Sequence, residues 1–274
     1  MAESVRAALT RGAAALAETS DTPRLDAELL AAHALGIERE AMLLGRLDDP
    51  APPGLDALFA RRAKREPVAY IVGHRDFWTI RLAVGPGVLI PRPDSETLIE
   101  AAVAHFGAAG PKRILDLGVG PGTLLLAALA EWPGATGLGI DASEAATSIA
   151  RGNAERLGLA ARAAIRVGDW GVGVDERFDL VLCNPPYVET GAALAPDVAG
   201  FEPGSALFAG TDGLDDYRRL APQIRGLLAP GGLAAVEIGA DQADSVIALF
   251  AAEGLAGMVR RDLAGRDRAI IVAA

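Results

Sequence analysis

The chain has 274 residues, 51% of them hydrophobic, enough for one ordinary α/β domain and a smaller partner domain, each with its own core. A formal charge of −10, with Lys64 and Lys112 the only lysines, argues against a broad grip on nucleic-acid backbone, and Cys183 as the sole cysteine excludes an intramolecular disulfide or a thiolate metal site. No apolar stretch reaches bilayer length, and Glu3, Arg6, Arg11 and Glu18 interrupt any signal-peptide core, so a cytoplasmic protein with no membrane partner is expected.

Residues 1–67 read as a small helical domain. Val5, Ala8, Leu9, Ala13 and Leu16 form one apolar stripe, and Leu25, Leu29 and Ala32 begin a second that stops at Gly36. "REAMLLGRL" and "LDALFARRAKR" supply two more short helical patterns on either side of the breaker-rich "DDPAPPG". With no titratable cluster, this domain reads as a module for recognition or covering. Residues 68–92 read as a β-hairpin linker, because "VAYIVG", "FWTIRLAV" and "GVLI" are rich in branched and aromatic residues and punctuated by glycine. In "PRPDSETLIEAAVAHF" the prolines hold the backbone extended, and Asp94 is the expected N-cap of a helix.

Across residues 93–274 strand-like runs alternate with helix-like ones: "RILDL", "ATGLGI", "AAIRV", "FDLVLC" and "LAAVEI", then "GMVRRDL" and "RAIIVA". Such alternation predicts an α/β, doubly wound, mostly parallel sheet. The last two runs lie too close together for a helical crossover and are expected to pair antiparallel at one edge.

"DLGVGPGT" falls between the first of these strands and its helix. Gly118, Gly120 and Gly122 let the backbone turn sharply and pass close to a ligand, where the following helix presents free N–H groups. The spacing is G-x-G-x-G, not the dinucleotide pattern, and the next strand ends in Asp141, 19 residues beyond Gly122, suited to accept from ribose hydroxyls. Asp169 and Trp170 close the third strand in the same relative position; one can accept from an exocyclic amine, the other can face a purine. The order of strand, loop, helix, strand and acid predicts a nucleoside pocket.

The fourth strand runs directly into Asn184, Pro185, Pro186 and Tyr187. Each proline holds the residue before it out of the helical region, so the Asn184 side-chain oxygen and the Pro185 carbonyl become two rigid acceptors. They match the two N–H donors of a planar amide or exocyclic amine, which they would orient for attack on a methyl group. Tyr187 can pack on the flat substrate and tolerate a sulfonium nearby. His33, His74 and His105 are scattered, and Cys183 has no partnered base nearby in sequence.

The chain closely resembles the release-factor glutamine methyltransferases over nearly its whole length, in "RLDAELLAAHALG", "REPVAYIVGHRDFW", "LIPRPDSETLIE", "DLGVGPG", "CNPPY", "FEPGSALFAGTDGLDDYR", "EIGADQ" and "LAGRDR". The glycine loop and "NPPY" are shared by many amino methyltransferases, whereas "PRPDSE" and "EPGSALFAGTDGLDDY" are much more specific. The resemblance implies a helical N-terminal domain, a hairpin linker and a seven-stranded Rossmann-like class I methyltransferase domain. It also implies S-adenosylmethionine as cofactor and, as substrate, the glutamine of the Gly-Gly-Gln motif in peptide chain release factors, without direct nucleic acid or a metal. Cofactor contacts are implied at Gly118, Val119, Gly120, Pro121, Gly122, Asp141, Asp169, Trp170 and Asn184, and substrate contacts at Asn184, Pro185, Pro186 and Tyr187, with Asn184, Pro185 and Tyr187 catalytic. Pro121 departs from the pattern and removes one backbone donor; Cys183 replaces a small polar residue. Related enzymes that methylate a ribosomal-protein glutamine, or an exocyclic amine of nucleic acid, are the competing expectations, and a nucleotide-binding dehydrogenase would leave "NPPY" idle.

Overall fold

The first apolar stripe becomes α1 (Val5–Leu16), where Val5, Leu9 and Leu16 are fully buried and the Ser4 hydroxyl caps the N-terminus by accepting from the Ala7 amide at 3.3 Å. The computed structural model of the chain describes residues 3–273 and divides into two units. In the helical unit α1 is followed by α2 (Pro23–Leu35), α3 (Arg39–Gly45), α4 (Leu55–Ala63) and α5 (Val68–Val72). α2 stops at Gly36, which adopts φ 67 as a helix-ending glycine does.

The buried face of α2 differs from the stripe read in sequence. Leu25 is 40% exposed while Asp26 and Glu28 are buried. Asp26 accepts from Arg62 Nε at 2.7 Å, Ser20 Oγ at 2.7 Å and Thr22 Oγ1 at 3.2 Å, and Glu28 accepts from Arg24 and Arg39. Fully partnered charges can go inside, which counting apolar residues does not anticipate. "VAYIVG" also differs: it forms α5, between Pro67 and a left-handed Gly73, because Ile71 packs into the helical core and tertiary contact overrides β propensity.

Gly12 on α1 faces the Phe59 ring of α4, and a methyl group there would lie 2.4 Å from a ring carbon. Gly12→Ala is expected to cost roughly 1–3 kcal/mol of stability through overpacking. An unchanged denaturation midpoint would show that the ring yields freely.

The second unit starts in a two-stranded hairpin of β1 (His74–Phe77) and β2 (Ile80–Ala83); the unit boundary falls after His74. "GVLI" forms no strand, contrary to expectation. Asp94 is not a helix cap either. It lies inside a 3-10 turn, Pro93–Ser95, and Ser95 precedes α6 (Glu96–Phe106) with its hydroxyl turned to Glu237 instead.

The remaining elements are β3 (Arg113–Leu117), α7 (Thr123–Glu131), β4 (Thr136–Asp141), α8 (Glu144–Arg156), β5 (Ala163–Val167), β6 (Phe178–Cys183), α9 (Pro196–Phe201), α10 (Asp215–Leu227), β7 (Leu228–Glu237), α11 (Ala243–Ala252), β8 (Gly257–Arg261) and β9 (Asp267–Ala273). α9 lies in Leu194–Glu202, a segment that belongs to the helical unit, where Asp197 pairs with Arg62 at 3.6 Å.

The seven strands are ordered β5-β4-β3-β6-β7-β9-β8, parallel except for β9, which is antiparallel to both β7 and β8. This is the doubly wound sheet and antiparallel edge read from the alternation. Alternate residues feed two cores: Ile114 packs with the hairpin, α6 and α7, whereas Leu115 and Leu117 pack with α10 and α11. The strand order reverses between β3 and β6, and a crevice outside the carboxyl ends of the strands follows from that reversal.

Candidate active site

The turns that follow β3, β4, β5 and β6 open onto a cavity of about 240 Å³. Gly118, Val119, Gly120, Pro121, Asp141, Asp169, Trp170, Asn184 and Pro186 all line it, so residues spread over 69 positions of sequence are gathered by the sheet order. Gly122, Pro185 and Tyr187 are not among its lining residues. Gly122 instead ends the loop at φ 94, where a side chain would strike Leu126. Pro185 is buried, and Tyr187 turns its hydroxyl to Glu237 at 3.3 Å. None of the three histidines lines the cavity.

The glycine loop passes directly under Trp170. A Cβ at Gly118 would sit 3.2 Å from the indole and 3.8 Å from the Asn184 carbonyl, so a glycine there lets the loop, the indole and the Asn-Pro-Pro-Tyr turn converge. Trp170 holds φ 48, a costly region for a bulky residue. Asp141 accepts from the Gly120 amide at 2.9 Å and from the Ser143 amide at 2.8 Å, tying the loop to the end of β4. Asn153 pins the other side: its Nδ2 donates to the Pro121 carbonyl at 2.7 Å and to the Ala83 carbonyl at 3.0 Å. Asp169 is engaged by Arg219 at 2.5 Å, an exposed pair that leaves its second oxygen available.

S-adenosylmethionine presents an ammonium, two ribose hydroxyls and a purine, and the residues present fit all three. Asp116 Oδ1 is the one buried side-chain polar atom among the described residues without a hydrogen-bond partner, and Asp116 lines the cavity. Burial pushes its carboxyl up to about 7 despite the Leu125 amide bond to Oδ2, with Asp141 adding to the rise. An ammonium docked there would satisfy the orphan oxygen and restore its charge. Asp141 and Trp170 both line the cavity, the one with a carboxylate able to accept from ribose hydroxyls and the other with an indole face able to receive a purine. Beside Gly120 a Cβ would meet no protein atom within 4 Å, so the backbone borders open space.

Asn184 lines the cavity at the head of a hydrogen-bonded chain. Its Nδ2 donates to Ser95 Oγ at 3.2 Å, and Ser95 Oγ donates to Glu237 Oε2 at 2.6 Å. Behind it, the Tyr187 carbonyl accepts from Gln242 Nε2 at 3.0 Å, and the Tyr217 hydroxyl donates to the Glu237 carbonyl at 2.8 Å. Cys183 is buried, and that burial pushes its thiol well up, which disqualifies it as a nucleophile.

Two family models match: the PrmC N-terminal domain over residues 7–73 and the methyltransferase small domain over residues 94–199. The chain is 49% identical over 257 residues to a release factor glutamine methyltransferase of Rhodospirillum rubrum, covering 92% of this chain and 79% of that one. A counterpart of Cereibacter sphaeroides is 46% identical over 276 residues, covering 98% and 96%. The chain belongs to the release factor glutamine methyltransferases. Among solved structures it resembles the Thermus thermophilus 16S rRNA N2 G1207 methyltransferase, in complex with AdoMet and guanosine, at TM-score 0.54 and 19% identity over 73% of this chain and 49% of that one. That likeness shows the fold alone.

In this member of the glutamine methyltransferases, Asp116 and Ser95, which line the cavity, and Glu237, which lies behind Ser95, are residues that reading the sequence for motifs missed. Asp116 opens the glycine string itself, and an acid closing an apolar strand is its signal. Ser95 and Glu237 lie inside "PRPDSE" and "EIGADQ", the segments that mark the family.

Proposed function

We propose that this protein transfers the methyl group of S-adenosylmethionine to the side-chain amide nitrogen of the glutamine in the Gly-Gly-Gln motif of peptide chain release factors. The observation that carries the reading is a cavity at the strand ends lined by Asp116, Asp141, Trp170 and the Asn184 and Pro186 of the Asn-Pro-Pro-Tyr turn, in a chain whose relatives share the release-factor name over nearly its whole length. The cofactor would be held by Asp116, the loop from Gly118 to Pro121, Asp141 and Trp170, with Asp169 and Arg219 at the rim. Bound there, it supplies an electrophilic methyl group on a sulfonium.

The chain's own residues act by orientation. Asn184 Oδ1 and the Pro185 carbonyl accept the two N–H bonds of the glutamine amide, which fixes the plane of the nitrogen and raises its electron density. As the new N–C bond forms, that nitrogen becomes acidic and sheds one of its two protons to solvent, so no strong base is needed beforehand. Tyr187 packs beside the amide, its phenol kept protonated because burial, reinforced by the Glu237 carboxylate, pushes it up. Asn184 and Pro186, both lining the cavity, place the amide beside the methyl donor.

Methyl-labelled S-adenosylmethionine, offered with release factor, ribosomal protein and nucleic acid in separate reactions, tests the reading. Label is expected on release factor, and is expected to vanish when the motif glutamine is replaced. Label confined to ribosomal protein or nucleic acid overturns it. The net charge of −10 and two lysines argue against the nucleic-acid arm. The helical unit is the part we assign to gripping the protein substrate: hydrogen exchange within residues 7–73 should slow when release factor is added, and unchanged exchange there would remove that role. Among the described residues no helix is long and apolar enough to cross a membrane.

A further inference from the structure

Asn184 can hold a glutamine amide only if its own carboxamide faces the right way. The two ends of that group have nearly the same shape and opposite hydrogen-bonding sense. Which end faces the substrate is therefore set by whatever holds the other. Here Nδ2 donates to Ser95 Oγ, and the single proton of the Ser95 hydroxyl is committed to Glu237 Oε2. With its proton spent, Ser95 can only accept. Nδ2 is drawn inward, and among the described residues Oδ1 has no bonding partner.

We propose that Ser95 and Glu237 are positioning residues whose one-way chain, Asn184 to Ser95 to Glu237, fixes the sense of the Asn184 amide so that it presents an acceptor to the substrate nitrogen. The inference rests on the functional reading above for what that amide faces. Glu237 is well placed for the task. It is 1% exposed at the end of β7, and its other oxygen, Oε1, accepts from the Tyr187 hydroxyl. The groups facing it are Ser95 and Asp94 from the turn before α6, Cys183 from the end of β6, Tyr187 from the turn after it, Tyr217 from α10, and Arg268 from β9. This buried carboxylate, with both oxygens occupied by donors, stands two hydrogen bonds away from the Asn184 amide.

The chain has a pH sense. Burial pushes the Glu237 carboxyl up to about 7, against the Ser95 bond, the Arg268 charge and the Tyr187 bond, with Asp94 adding to the rise. Above that value the carboxylate accepts and the sense is fixed. As pH falls through it, the carboxyl gains a proton it can donate to Ser95, the hydroxyl proton is released towards Asn184, and the two amide orientations become comparable.

The test follows the Asn184 carboxamide by 15N NMR, assigned by its loss in Asn184→Asp, through a pH titration of wild type and Ser95→Ala, with kcat, KM and cofactor Kd measured in parallel. In wild type the signal is expected to titrate with a midpoint near 7. In Ser95→Ala it should be indifferent to pH, with kcat about ten-fold lower, cofactor Kd within about two-fold, and the acid limb of kcat gone. Glu237→Gln should also lose the acid limb. A wild-type signal that ignores pH, or Ser95→Ala retaining both wild-type kcat and acid limb, overturns the proposal. A carboxamide that titrates as expected in an enzyme that leaves release-factor glutamine unmethylated supports the chain and overturns the functional reading instead.

Discussion

Replacing Asn184 with alanine is expected to lower kcat about 10²–10³-fold, the loss typical when one preorganised polar partner of a reacting group is removed. The effect should fall on turnover because the glutamine amide loses one of two fixed acceptors, while the cavity keeps Asp116, Asp141 and Trp170 for the cofactor. Cofactor Kd by titration calorimetry is therefore expected to change by less than about three-fold. Equal losses in kcat and cofactor affinity would place Asn184 with the cofactor and not at the reacting nitrogen.

Asp141→Ala should show the opposite split, weakening S-adenosylmethionine binding about 100-fold, as expected for losing charge-assisted hydrogen bonds of about 1.5–3 kcal/mol each. Two losses combine at this position. The ribose would lose its acceptor, and the amides of Gly120 and Ser143 lose the carboxylate that holds the loop against β4. At saturating cofactor, kcat should recover to near the wild-type value. A variant that binds the cofactor normally would show that Asn153 and the Gly118 and Val119 amide bonds to the Ile140 carbonyl hold the loop without Asp141, and that the ribose is read elsewhere.

Much of the fold could be read in advance because its signals are local. Five apolar runs bounded by helix patterns specify parallel strands, and the short link between the last two forces an antiparallel edge. The site was legible where a motif sits at the end of a strand, since the doubly wound sheet carries every such end to one crevice: Gly118, Asp141, Trp170 and Asn184 meet there. What escaped depended on partners distant in the chain. "VAYIVG" has strand composition, but Ile71 finds its core among helices, and Asp26 goes inside only because Arg62, 36 residues away, meets it. Ser95 and Glu237 are 142 residues apart, and neither residue alone announces a bond to the other. Asp116 was passed over because the glycines beside it carry the louder signal.

The excursion of Leu194–Glu202 into the helical unit means that the polypeptide leaves and re-enters its larger unit on either side of those residues. No single break in the gene can therefore divide the protein into its two halves. A fragment ending at His74 would leave Arg62 without Asp197, and the complementary fragment would carry α9 with no unit to join. Domain exchange between relatives would have to transplant both pieces together, which ties the evolution of the helical unit to a stretch that begins seven residues after Tyr187.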